Sequence, residues 1–192
     1  SMSTSTVPWR VLGMDVKEYK TDSHKLKYLL FVDEASRLTK CKLLFKIPIN
    51  QHRNATTDEL VRAFETKRQK FFGCPEILRH DPEGSMVSTE IMQAFSEKGI
   101  RLLATAGEAH WQLGITERTI QTIFRTAERI RDEQRIDMEK AVSLATAAHN
   151  TTERIHGLTP SQWAFGRAPT WSNTLYEDPP GTNLARESSE AY

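Results

Sequence analysis

Cysteine is scarce: the 192 residues contain two, Cys41 and Cys74, 33 positions apart. Two thiols so separated build neither a zinc cluster nor a disulfide framework by themselves, and a reduced intracellular setting is expected. Long apolar runs are missing too. The longest, Tyr28 to Val32, falls far short of the roughly 20 residues a membrane helix needs. Nor does one sign of charge dominate: 26 basic against 25 acidic side chains leave +1, so no overall field draws the chain to nucleic acid and any such contact has to be a local patch. No internal repeat is present. What remains, 38% apolar and 27% charged residues, is ordinary globular composition and excludes a disordered or fibrous chain. The length suits one domain.

Residues 1–8 are Ser/Thr-rich, Ser1-Met2 reads as a cloning scar, and this segment is expected to be disordered. From residue 171 to 192 the chain is rich in Asn, Glu, Pro and Ser around Pro179-Pro180-Gly181, which predicts a flexible tail. Between them, residues 9–170 alternate strand and helix patterns. Val11 to Tyr19, Tyr28 to Asp33 and Leu38 to Ile47 read as a three-stranded meander. Asn54 to Phe72 switches to a helical period, placing Leu60, Val61, Phe64, Phe71 and Phe72 on one face and Lys67, Arg68 and Lys70 in the closing turns, before Gly73 and Pro75 stop it. Glu76 to His80 is a predicted strand. Ser88 to Lys98 follows as a helix with Ile91, Met92 and Phe95 inward, then a strand from Arg101 to Thr105. Helices from about Gly114 to Glu133 and Asp137 to Asn150 precede a short one at Pro160 to Phe165, opened by a Thr159/Gln162 capping box. The pattern predicts an α/β domain, a mixed sheet of about five strands flanked by helices.

Three carboxylates sit where such a fold does not need them. Asp15 interrupts the otherwise apolar Leu12-Gly13-Met14-Asp15-Val16, and burying it unpaired is expensive. Asp81 closes Ile77-Leu78-Arg79-His80-Asp81, at a strand end where α/β ligand sites gather. Glu117 lies on the helix whose apolar stripe comprises Ile120, Ile123, Phe124, Ala127 and Ile130, and projects to the edge of that stripe. A lone strand aspartate equally well binds a backbone amide or an arginine, so residue type alone leaves both roles open. Asp33 illustrates this: the turn Glu34-Ala35-Ser36-Arg37 after it explains an aspartate structurally. Glu83 reads as a solvated loop acid. Spacing separates the triple from these, because 35 residues lie between Asp81 and Glu117.

Together with its surroundings, that spacing resembles the catalytic core of retroviral and LTR-retrotransposon integrases, marked by Asp, Asp, a 35-residue gap and Glu on an RNase H-like fold. The resemblance also rests on Val32-Asp33 with Ser36-Arg37, Gly114 three before Glu117, Glu117-Arg118, and His149-Asn150-Thr151-Thr152. Gly157-Leu158-Thr159-Pro160 and Phe165-Gly166-Arg167-Ala168-Pro169 close the pattern. The sequence departs from the family at Leu113, commonly Asn or Gln, and at Trp111, with Gln112 placed to take over part of the polar role. The family's zinc domain and β-barrel DNA-binding domain are not seen, which implies a core from a longer protein.

The resemblance implies a polynucleotidyl transferase that trims the 3′ ends of element DNA and joins them to target DNA, in the nucleus or a cytoplasmic particle. Asp15, Asp81 and Glu117 are the implied catalytic residues and metal ligands. Oxygen donors without His or Cys suit two Mg²⁺ or Mn²⁺ ions. Double-stranded DNA and further copies of the chain, in a homodimer or larger assembly, are the implied partners. His110, Gln112, Arg118, Arg125 and Arg129 are DNA-contact candidates, although Glu128 is spaced to neutralise the arginines. Gly107 to Gly114 reads as a mobile loop over the site. Cys41 and Cys74 are expected to fill core space. A different class remains: an integrase-derived binding module that has lost its chemistry.

Overall fold

The computed structural model describes residues 5–81, 88–104 and 110–167, the first four of the last stretch by backbone alone. Three long antiparallel strands, β1 (Val11–Lys20), β2 (His24–Asp33) and β3 (Thr39–Pro48), form the predicted meander. β4 (Ile77–His80) and β5 (Arg101–Ala104) then add parallel to β1, giving the order β3-β2-β1-β4-β5. The helices are α1 (Thr57–Phe64), α2 (Lys70–Phe72), α3 (Thr89–Glu97), α4 (His110–Gln134), α5 (Met138–Thr152) and α6 (Pro160–Phe165). This is the expected mixed sheet, with helices on both faces.

Strand alternation divides the core. Leu12 and Met14 of β1, Leu29 and Phe31 of β2 and Leu78 of β4 pack against Leu60 and Phe64 of α1 and Ile91 and Phe95 of α3. Leu26, Tyr28 and Leu30, one position out of phase on β2, pack against Ile120, Ile123 and Phe124 of α4 and Met138 and Val142 of α5. Each such side chain contributes about 1.5–3 kcal/mol on burial. Caps fix the helix starts: Thr56 and Glu59 form a capping box on α1, Thr159 and Gln162 one on α6, and Asp137 accepts from the Lys140 amide at α5.

Several expectations are corrected. β2 begins at His24, four residues before the predicted start, because Lys25 buries its stem and donates from Nζ to the Gln51 carbonyl at 2.9 Å. α4 begins at His110 rather than Gly114, so the candidate loop is helical over its last residues, and the rest of it lies outside the described ones. Between α1 and α2 runs a π-helical segment, Glu65–Gln69. Its i→i+5 bonding under-winds the helix, so the stripe begun by Leu60 and Phe64 passes through Arg68 and misses Phe71. Arg68 is 1% exposed and Phe71 66%. The buried guanidinium donates to the Gly73 and Trp9 carbonyls and lies 5.2 Å from the ring centres of both Trp9 and Phe72; burial pulls it down to about 10. Met92, expected inward, is exposed on α3, and Cys74 is exposed rather than buried. Among the described residues no helix is long and apolar enough to cross a membrane.

Candidate metal and DNA site

β1 outlasts β4. Their parallel register pairs Gly13 with Arg79 and Met14 with His80, where β4 ends. The next residues along the two strands are Asp15 and Asp81, side by side at the carboxyl end of β4, the position where open α/β sheets place their ligands. Beyond it β1 is paired only with β2, which leaves Asp15 beside an open flank of the sheet.

Gly13 brings the third carboxylate in. A methyl group built on Gly13 would stand 1.9 Å from Thr116 Oγ1 and 3.0 Å from Thr116 Cβ, so α4 lies against the bare backbone of β1 at a distance no other residue allows. Thr116 is fully buried in that contact, and Glu117, the next residue, is exposed at its edge. The helix is thereby held against the middle of β1, beside Asp15, where β4 ends.

The electrostatics of Asp15 involve both other acids. Burial pushes the half-buried Asp15 carboxyl above its ordinary range. The Val16 amide, 2.7 Å from Asp15 Oδ1, opposes this, as does Lys17, while the negative charges of Asp81 and then Glu117 raise it further. Asp15 therefore lies in the field of both other acids. Among the described residues no three Asp, Glu, His or Cys side chains close into a ready metal shell.

Neighbouring groups sort clearly. Asp33 is structural, as expected: it accepts from the Trp9 amide at 2.7 Å and from the Ser36 amide and hydroxyl at 2.9 and 2.7 Å. His80 is buried beside Met14, its Nδ1 2.8 Å from the Asp81 carbonyl oxygen. Arg118, Arg125 and Arg129 are exposed on one side of α4, and none is ion-paired among the described residues; Glu128 instead reaches Tyr19. His110 and Gln112 start α4, with side chains outside the described residues, and Glu83 lies outside them altogether. Sequence reasoning missed the buried Glu34–Arg79 pair, 2.7 Å apart on the flank of β4. It also missed the Gly13–Thr116 contact, although a glycine two residues before a strand aspartate is a signal of close backbone approach.

No family model matches the sequence, and no curated protein does. Solved structures do. The HTLV-2 integrase catalytic core domain, in complex with magnesium and in a dimeric form, superposes with a TM-score of 0.65 over 82% of this chain and 97% of that one, at 19% identity. The fold is that of a retroviral integrase catalytic core. The BIV integrase core matches similarly, with a TM-score of 0.64, 16% identity and coverage of 82% and 95%. A simian T-cell lymphotropic virus intasome, in complex with PP2A regulatory subunit B56 gamma, gives 0.71 at 16% identity over 93% of this chain. The chain spans 63% of that neighbour's length.

Proposed function

We propose that this integrase-core fold carries out metal-dependent polynucleotidyl transfer, trimming 3′ ends and joining them to a second DNA. One observation carries the reading: Asp15, half-buried, lies in the repulsive field of Asp81 and Glu117. Like charges near a half-buried carboxylate are costly unless cations neutralise them. The donor set fits Mg²⁺ or Mn²⁺, which Asp15, Asp81 and Glu117 would hold. Two such ions supply activation of the attacking oxygen and stabilisation of the leaving one in an in-line displacement.

The chain's own residues supply position. β1 and β4 fix Asp15 and Asp81 by backbone pairing, the Val16 amide orients the Asp15 carboxylate, and the Gly13–Thr116 contact sets the depth of Glu117. Arg118, Arg125 and Arg129 present an unneutralised cationic line to a DNA backbone. The chain self-associates in this proposal, through the outer faces of the helices; sedimentation of a 21.9 kDa monomer alone at high micromolar concentration contradicts that.

A second reading, a binding module without chemistry, needs only the exposed arginines of α4 and no carboxylate chemistry. Incubating the chain with Mn²⁺ and a branched DNA separates the two. Strand resolution that EDTA abolishes supports transfer; DNA binding with no resolution supports the module.

A further inference from the structure

A notch of about 340 Å³ opens beside α4, lined by Arg37, Arg118, Thr119, Thr122, His149 and Glu153 among others and by none of the three carboxylates. Arg37 sits in the β2–β3 turn with a left-handed backbone, φ 61°. The turn is rigid, because Asp33 holds Ser36 and the Arg37 amide donates to the Asp33 carbonyl at 2.8 Å. Arg37 Nη1 donates to the Glu34 carbonyl at 2.5 Å, and Arg118 Nε to the Gly114 carbonyl at 2.9 Å. Each guanidinium is thus held by a backbone oxygen and keeps its other donors for something else.

Neither arginine has a carboxylate ion pair among the described residues, Glu153 on the rim included. Their charges act on one another: burial first, and the nearby Arg118, hold Arg37 below the usual guanidinium range against the opposing pull of Glu34 and Asp33. His149 of α5 lines the notch as well. His149 is 9% exposed, with Nε2 3.1 Å from the Arg37 carbonyl and Nδ1 without a hydrogen-bond partner. Two guanidinium groups share the notch with a single lining carboxylate, Glu153, and the net positive charge left there suits an anion.

We propose that Arg37 and Arg118 form a subsite for one backbone phosphate of DNA, with His149 holding the Arg37 main chain in place through its Nε2. Position selects DNA over a small anion. Arg125 and Arg129 continue from Arg118 along the same side of α4, about 10 and 16 Å further on by helical rise, so the notch starts a linear cationic track that a polyanion matches. The inference rests on the proposed reading of the chain as a DNA-handling core, and it assigns to Arg37 a role that the carboxylate site does not need.

The test is binding of a fluorescent branched DNA across a salt series in EDTA, for the parent and for the variant carrying Arg37→Gln and Arg118→Gln. We expect affinity to fall tenfold or more, and the slope of log K against log salt to shrink by about 1, the value for one lost phosphate contact. Arg118→Gln alone, on the exposed helix surface, gives part of the same change and guards against a double variant that unfolds. Paired Lys replacements restore the slope but not the full affinity, since an ammonium lacks the fork. An unchanged slope and affinity in a folded variant overturns the subsite. Inorganic phosphate that shifts the His149 ring resonances while the DNA slope stays unchanged overturns it as well, in favour of a free-anion site. Strand resolution with an unchanged slope sinks the subsite and leaves the proposed function; an arginine-dependent slope without any Mn²⁺-dependent resolution does the reverse.

Discussion

Replacing Gly13 by alanine puts a methyl group where α4 already stands. The new Cβ meets Thr116 Oγ1 at 1.9 Å, and real Cβ contacts essentially never fall below 3.0 Å, so helix and strand must separate by about 1.1 Å. Rotating Thr116 gives little relief, because its Cβ already lies at 3.0 Å and its Cγ2 at 3.1 Å. Overpacking of this kind costs about 2 kcal/mol, which for a domain of this size lowers Tm by about 4–8 °C. The catalytic consequence is larger than the structural one. Glu117 follows Thr116 directly and moves with it, and a displacement near 1 Å of a positioned group lowers rate by about 10²-fold. The assay pairs thermal melting with Mn²⁺-dependent resolution of branched DNA, for Gly13→Ala and for the same change combined with Thr116→Ala, which removes the atom at 1.9 Å. The expected result is a folded Gly13→Ala protein with a depressed Tm and about 1% of parent activity, both partly recovered in the double variant. Parent-like Tm and rate for Gly13→Ala would refute the claim that this contact sets the depth of Glu117.

Asp15→Asn should stabilise the metal-free protein at neutral pH. The folded carboxyl titrates above its unfolded value of 3.8, so the folded domain holds the proton more tightly, and parent stability falls as pH rises through the folded pKa. The gain from Asn is therefore full near pH 7 and vanishes toward pH 4; urea melts at several pH values check it, and a loss of stability at pH 7 contradicts it. Glu34→Leu strands the buried Arg79 charge, 5% exposed, and should lower stability by about 3–5 kcal/mol, whereas adding Arg79→Met should recover most of it; a mild single variant in denaturant melts counts against this.

The site was more legible in the sequence than its surroundings. Asp15 and Asp81 stood out because strands tolerate aspartate poorly, and the gap to Glu117 linked them to one pattern. Strand and helix order followed from the change between periods of two and 3.6. What escaped notice depended on non-local geometry. No residue between Glu65 and Gln69 announces a π turn, so Phe71 was placed on the apolar face although it is exposed, and the burial of Arg68 was not foreseen. Arg37 looked like an ordinary turn residue until the fold set it across from Arg118, 81 positions away in the chain. Parallel pairing of β1 with β4, which places the two aspartates side by side, has no local signal.

The convergence of Asp15, Asp81 and Glu117 on one metal-dependent reaction is tested most directly by Glu117→Gln. The substitution keeps shape and helix propensity on an exposed position of α4 and removes one of the charges acting on Asp15. Melting with and without Mn²⁺, alongside resolution of branched DNA, is the measurement. The account predicts a metal-free Tm unchanged or raised, a smaller stabilisation by Mn²⁺ than in the parent, and activity lower by orders of magnitude. An unfolded variant, or a folded one that resolves branched DNA at near-parent rate with Mn²⁺, would contradict it.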